Sequence, residues 1–154
     1  MADFTSVLSK KADDVVKPPV KPAGVYLAQI SGLPSQENPT VQGVERVVLS
    51  FPVKLIAAQS GVDSDALSNP LLGDISSWQA FKKDFWIDDP QGEFALKNFL
   101  TGVLEIASAG KTLGEMVAES VGHQFLVTII HKPFISKTTG EPDIAANLGP
   151  VAKA

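Results

Sequence analysis

Residues 44–57 read VERVVLSFPVKLIA, and this stretch alternates between two chemically different faces. Successive side chains of a β-strand point to opposite sides, so the alternation predicts one long strand. One face is mostly apolar and includes Phe51 and Leu55, whereas the other carries Arg46 and Lys54.

Pro52 lies near the middle of this strand. Proline cannot donate a hydrogen bond to a neighbouring strand, so it predicts an edge position, a bulge or a sharp bend. Long bent strands of this kind are typical of the corners of small β-barrels.

Four further segments have the composition of strands. Residues 24–31 (GVYLAQIS) combine β-branched and aromatic side chains, residues 78–87 (WQAFKKDFWI) contain a third strand, and residues 122–132 (GHQFLVTIIHK) form a fourth. Residues 142–151 are more polar, and a turn at residues 138–141 predicts that they pair back on the fourth strand as a hairpin.

Two helices are expected between the third and fourth strands. Asp89 can cap the first helix and Pro90 suits its first turn. Residues 112–120 predict a short second helix, in which Thr112 and Glu115 have the spacing of a capping box.

The element order therefore predicts a mostly β protein. Three strands, a helical insertion and two further strands form the order of a five-stranded OB-like barrel, a fold that commonly binds oligonucleotides. We assign this domain to residues 24–154. Residues 1–23 form an N-terminal arm, either flexible or docked on the body or on a neighbouring subunit through Phe4, Val7 and Leu8.

Composition limits the class of protein. Hydrophobic residues make up 44% of the 154 positions and charged residues 19%, values that are typical of a globular chain. The absence of cysteine excludes a disulfide framework and thiolate metal sites. Neither a secretory signal nor an apolar run of about 18 residues is present, so we expect no membrane association. The net charge of −4 argues mildly against binding a polyanion.

Motifs for catalysis, cofactors and metals are not convincing. Residues 107–112 (ASAGKT) resemble a phosphate-binding loop, but Glu105 occupies the position of its first glycine. His123 and His131 are eight residues apart on one strand, about 26 Å at the usual rise, which is too far for a shared metal. We therefore predict a protein that is not an enzyme and that has no cofactor, metal site or catalytic residue.

The segment FKKDFW, residues 81–86, supplies both aromatic rings and cations. Binding of single-stranded nucleic acid needs rings for base stacking and cations for phosphates along one groove. Strand alternation predicts that Phe81 and Phe85 face the core and that Lys82 and Trp86 face outward. Trp86 is then either a stacking platform or a packing contact for the helix that follows.

Five short stretches together resemble bacteriophage OB-fold single-stranded DNA-binding proteins, which function in phage DNA replication and recombination. They are KPAGVY (21–26), VVLSF (47–51), FWI (85–87), LKNFL (96–100) and VGHQFLV (121–127). The resemblance spans roughly residues 20–150 and is one of layout and short words. It implies single-stranded DNA as partner, replication or recombination proteins as further partners, and the cytoplasm of an infected bacterial host as location. The single arginine predicts either modest affinity or a homo-oligomer that pools charge.

Together these inferences lead to the hypothesis that the protein binds single-stranded DNA independently of its sequence. Bases would stack on Trp86, with Phe134 or Tyr26 as further platforms, and phosphates would be met by four cations. Those cations are Arg46, Lys54, Lys82 and Lys132.

Two departures from the resemblance are plain. The chain ends PVAKA at residues 150–154 and not in the acidic tail by which many such proteins recruit partners, and its only arginine is Arg46. The alternative reading is a phage structural or assembly protein that uses the barrel to join subunits. The acidic charge, the apolar arm and the long loops favour that alternative.

Overall fold

The computed structural model describes residue 8, residues 11–12 and residues 19–154. Within them the strands are β1 (Gly24–Ile30), β2 (Ser35–Glu37), β3 (Thr40–Val41), β4 (Val44–Glu45), β5 (Val48–Ser60), β6 (Phe81–Trp86), β7 (Gln124–Ile135) and β8 (Pro142–Lys153). The α-helices are α1 (Ser64–Leu67), α2 (Pro90–Asn98) and α3 (Leu113–Glu119). The docking predicted for Phe4 and Val7 falls outside the described residues, and Leu8 is exposed.

One antiparallel sheet has the strand order β6-β5-β1-β7-β8. The strand β2 follows β1 after residues 31–34, which belong to neither strand, and both strands pair with the same edge of β5. Pro52 lies opposite this connecting segment, where its carbonyl accepts a hydrogen bond from the Ser31 N–H at 3.0 Å. Its missing N–H therefore falls where the pairing of β5 with β1 and β2 is interrupted, while Pro52 itself pairs in register with Lys82 of β6.

The prediction of a mostly β protein is confirmed, since strands hold 41% of the described residues and helical segments 22%. The closed barrel is not formed. The outer strands β6 and β8 approach within 8 Å between Cα atoms, but no hydrogen-bonded ladder joins them in the part of the chain that the structure describes.

Side chains from the helical insertion occupy the open seam between β6 and β8. A π-helical turn, Phe99–Val103, follows α2 directly. Phe99 and Val103 line the seam together with Phe85 from β6 and Val151 from β8. Apolar packing thus joins the two outer strands at a place where a closed barrel would have backbone hydrogen bonds.

Four phenylalanines form the centre of the core. The Phe99 ring lies 5.9 Å from Phe51, 5.2 Å from Phe85 and 5.3 Å from Phe125, measured between ring centroids. Phe51 and Phe125 are fully buried, whereas Lys54 is exposed. The inward facing predicted for Phe51 and Phe85 and the outward facing predicted for Lys54 are therefore confirmed, and the even-numbered residues of β6 point outward. Val48 and Ser50 were predicted on the polar face of the strand but are buried. The single strand predicted for residues 44–57 is interrupted at residues 46–47.

Both predicted helix caps are present. The Asp89 side chain accepts a hydrogen bond from the Gly92 N–H at 2.7 Å, and Pro90 is the first residue of α2. Thr112 accepts from the Glu115 N–H at 3.1 Å at the start of α3. In the described chain, none of the helices has the length and apolar character needed to cross a membrane.

Candidate nucleic-acid interface

Trp86 lies at the end of β6, opposite Val48 of β5, and its side chain points away from the core. The residue is 38% exposed, whereas its neighbour Phe85 is 6% exposed. The outward facing predicted from alternation is thus confirmed. The helix α2 contacts the Trp86 backbone, because Gly92 packs directly on the Trp86 carbonyl.

Arg46 covers part of the Trp86 ring. Its guanidinium carbon Cζ lies 4.9 Å from the ring centroid, within the range of a cation–π interaction. The same guanidinium donates to both carboxylate oxygens of Asp88, from Nε at 2.7 Å and from Nη2 at 3.0 Å. Nη2 also lies 3.4 Å from Asp89 Oδ2. Arg46 therefore joins an aromatic ring to two carboxylates.

The hydrogen bonds between Arg46 and Asp88 favour the charged form of both side chains. The hydrogen bond from Arg46, helped by one from the Val47 N–H, lowers the pKa of Asp88 to about 2. The hydrogen bond to Asp88 in turn raises the pKa of Arg46 above its ordinary value. Both groups are charged at neutral pH, so the carboxylate of Asp88 offsets the only arginine of the chain.

An open cleft of about 390 Å³ lies beside Trp86, between β6 and the first turns of α2. Cations and carboxylates both line it: Arg46, Lys83, Asp84 and Asp89. Asp84 also accepts a hydrogen bond from the Ser50 hydroxyl at 2.5 Å. The cleft has no excess of positive charge, which distinguishes it from the cationic groove that the sequence suggested.

Lys82 and Lys54 lie on the same outer face as Trp86. Lys82 pairs in register with Pro52, and its Nζ is 3.2 Å from Glu37 Oε1 on β2. Lys54 is two residues beyond Pro52 on β5 and has no carboxylate within 4.0 Å among the described residues. The structure thus brings Trp86, Arg46, Lys82 and Lys54 onto one face, with two of the three cations already paired.

Lys132 and Phe134 lie on the β7–β8 hairpin, a different strand pair from the one that carries Trp86. Both are exposed, and they share one face, opposite Ala145 and Asp143 respectively. The hairpin also exposes Ile135 by 63%.

The isoleucines of this hairpin were not among the predicted contact residues. Ile144 is 49% exposed and lies next to the exposed Ile135 face, opposite Pro133. For Ile135, the available signal was the apolar run PFI at residues 133–135, directly after the predicted strand of residues 122–132. Large exposed apolar side chains that cluster in this way are typical of interaction surfaces.

The prediction that Tyr26 stacks on a base is wrong. Tyr26 is fully buried, its hydroxyl donates to the Pro22 carbonyl at 2.6 Å, and its ring lies 5.9 Å from Trp78 edge to face. Burial raises the pKa of Tyr26 to about 12. The strand β1 lies between β5 and β7, so the inward alternation shared with Ala28 and Ile30 places this ring in the core.

The histidines contact backbone carbonyls. His123 Nδ1 lies 3.2 Å from the Leu104 oxygen, and His131 Nε2 lies 2.8 Å from the Lys21 oxygen. Among the described residues, no group of three or more histidine, aspartate or glutamate side chains is arranged to hold a metal ion.

No protein-family model matches the sequence, and no curated protein gives a significant match to it. The resemblance to phage single-stranded DNA-binding proteins stays a prediction from the quoted residues.

Proposed function

We propose that the protein binds single-stranded DNA without sequence preference and acts in phage DNA replication or recombination. The observation that carries this proposal is the outward ring of Trp86, which is 38% exposed beside an open cleft. An exposed tryptophan on a sheet face offers a stacking surface to any base, because every base has a π-face.

The arrangement of the candidate residues supports an OB-like architecture for this function. OB-folds bind oligonucleotides on the face of their second and third strands and on the loops after strands one and four. In this chain those strands are β5 and β6, which carry Lys54 and Trp86. Arg46 follows the first strand, and Phe134 precedes the turn of the β7–β8 hairpin.

The charges of this surface predict binding dominated by stacking. Arg46 and Lys82 are paired with carboxylates. Lys54 and the hairpin lysine Lys132 have no ion-pair partner within the described part of the chain. With two or three phosphate contacts, affinity for a single strand should fall by roughly tenfold between about 50 and 200 mM salt. That is a shallow dependence compared with a strongly cationic groove.

Replacement of Trp86 by alanine tests the proposal. Stacking contributes about 1–3 kcal/mol per base, so Trp86→Ala should weaken binding of a labelled oligonucleotide by roughly 5- to 150-fold. Phe94→Ala is a matched control, because Phe94 is also an exposed aromatic, at 63%, but lies on α2 outside the proposed surface. Fluorescence anisotropy measures the affinity of each variant for the oligonucleotide, and thermal unfolding measures its stability.

Two results would contradict the proposal. One is the absence of binding by the unaltered protein at low salt. The other is a Trp86→Ala variant that binds as well as the Phe94→Ala control.

Subunit assembly is a second candidate function, favoured by the apolar hairpin. Phe134, Ile135 and Ile144 expose 44%, 63% and 49% of their surface on one two-stranded ribbon. We expect Ile135→Lys to lower the apparent mass in sedimentation velocity if this ribbon joins subunits. A protein that sediments as a monomer with or without the substitution would exclude this candidate.

A further inference from the structure

We infer that Arg46 is a positioning residue for the Trp86 ring and does not contact phosphate. The inference rests on the proposed function for its DNA-binding readout, but the contact between the two side chains is tested without DNA. It assigns the surface at Trp86 to the base of a nucleotide and the phosphates to lysines elsewhere.

The edge of the Arg46 guanidinium that carries Nε and Nη2 is already engaged by carboxylates. A guanidinium has five N–H donors in a fixed planar fork, and both Nε and Nη2 donate to Asp88. Nη2 also contacts Asp89 at 3.4 Å. A phosphate oxygen that approached this edge would have to displace the carboxylates, which hold the guanidinium in the geometry of a bidentate pair. Among the described residues, Nη1 alone of the three guanidinium nitrogens has no hydrogen-bond partner.

The carboxylates are themselves held by the backbone. Asp88 Oδ2 accepts from the Val47 N–H at 3.1 Å, next to Arg46 in the chain. Asp89 accepts from the Gly92 N–H and caps α2. The cluster therefore joins the segment before β5 to the turn between β6 and α2, and Arg46 sits over the ring at a fixed distance of 4.9 Å.

The local charge also opposes a phosphate here. Two carboxylates, from Asp84 and Asp89, line the cleft against the cations Arg46 and Lys83, and Asp88 adds a third carboxylate through its pairing with Arg46. A phosphate, whether monoanionic or dianionic, gains little electrostatic binding energy from such a surface, whereas an uncharged base loses none. Stacking on the ring is the interaction that this arrangement favours.

The salt dependence of binding separates the two roles of Arg46. For a single strand, loss of one phosphate contact lowers the slope of log affinity against log salt by about 0.7. We expect Arg46→Gln to weaken oligonucleotide binding by about 2- to 5-fold with the slope unchanged. Lys54→Gln is the control for a phosphate contact, and its slope should fall by about 0.7.

Arg46→Lys provides a second variant that keeps the charge. Lysine supplies a point charge but lacks the planar fork and the stacking surface of arginine. We therefore expect Arg46→Lys to bind as weakly as Arg46→Gln. Two results would identify Arg46 as a phosphate contact and overturn the inference. One is a decrease in the slope of log affinity against log salt for Arg46→Gln, and the other is an affinity of Arg46→Lys equal to that of the unaltered protein.

Quenching of tryptophan fluorescence by acrylamide tests the positioning without DNA. Trp78 is buried, so the accessible emission is that of Trp86. Arg46→Gln should increase quenching of the folded protein, and Trp86→Phe should remove that increase. Unchanged quenching would refute the positioning role. Absence of DNA binding combined with increased quenching would refute the proposed function alone.

Discussion

Gly92 is the residue whose replacement should most directly disturb the junction between β6 and α2. A Cβ atom added at Gly92 would lie 1.3 Å from the Trp86 carbonyl oxygen and 2.5 Å from its carbonyl carbon. Real Cβ atoms essentially never approach closer than 3.0 Å, so the helix and the strand would have to separate by at least 1.7 Å. Both obstructing atoms belong to the backbone, which cannot rotate away.

The expected loss of stability follows from two opposing contributions. Forcing extra volume into a packed site typically destabilises by about 1–3 kcal/mol, and a backbone obstruction places this site at the upper end. Alanine is favoured over glycine in a helix by about 1 kcal/mol. The Gly92→Ala variant should therefore be about 2 kcal/mol less stable, which lowers the melting temperature by about 4–8 °C in a chain of this size.

Gly114→Ala is the matched control in α3. Gly92 and Gly114 both lie in the first turn of a helix, but the Cβ added at Gly114 meets its nearest atom, Thr112 Oγ1, at 3.8 Å. We expect this control to be as stable as the unaltered protein or up to about 1 kcal/mol more stable. Urea unfolding followed by circular dichroism measures both variants. A Gly92→Ala variant as stable as the Gly114→Ala control would refute the packing of α2 on the Trp86 carbonyl.

Three further predictions concern buried and charged groups. Tyr26 is the single tyrosine, so the ultraviolet absorbance of tyrosinate in the folded protein should titrate with a midpoint near 12. The stability that burial of the neutral Tyr26 side chain contributes should be present below pH 10 and lost between about pH 10 and 12. A midpoint near 10 in the folded protein would contradict the burial of Tyr26. Phe125→Ala should lower the free energy of unfolding, measured in urea, by about 3–5 kcal/mol, while Phe94→Ala should change it by no more than about 0.5 kcal/mol. A decrease under about 1 kcal/mol for Phe125→Ala would mean that the inward facing of Phe125 on β7 is wrong. The lowered pKa of Asp88 means that its pairing with Arg46 stabilises the protein above about pH 4 and is lost as pH falls towards 2. Asp88→Asn should accordingly flatten the acid unfolding curve in that window, and an unchanged curve would argue against the pair.

Local patterns in the sequence predicted the elements that depend on neighbouring residues. The alternation of residues 44–57 gave the inward facing of Phe51, and that of residues 81–86 gave the outward facing of Trp86. Asp89 and Thr112 were identified as caps because capping involves residues two or three positions apart. Both partners of such an interaction lie within one turn or one strand, so the local sequence is sufficient to predict it.

The tertiary structure decided what depends on residues far apart in the chain. Phe99 packs in the open seam between β6 and β8, and no local pattern in the sequence reports whether two outer strands pair. Tyr26 is in the core because β1 lies between two other strands. Arg46 meets Asp88 across 42 residues, and that contact changes a free cation into a paired one beside Trp86. Periodicity assigns a side chain to a face, whereas its partners on that face depend on which strands the fold brings together.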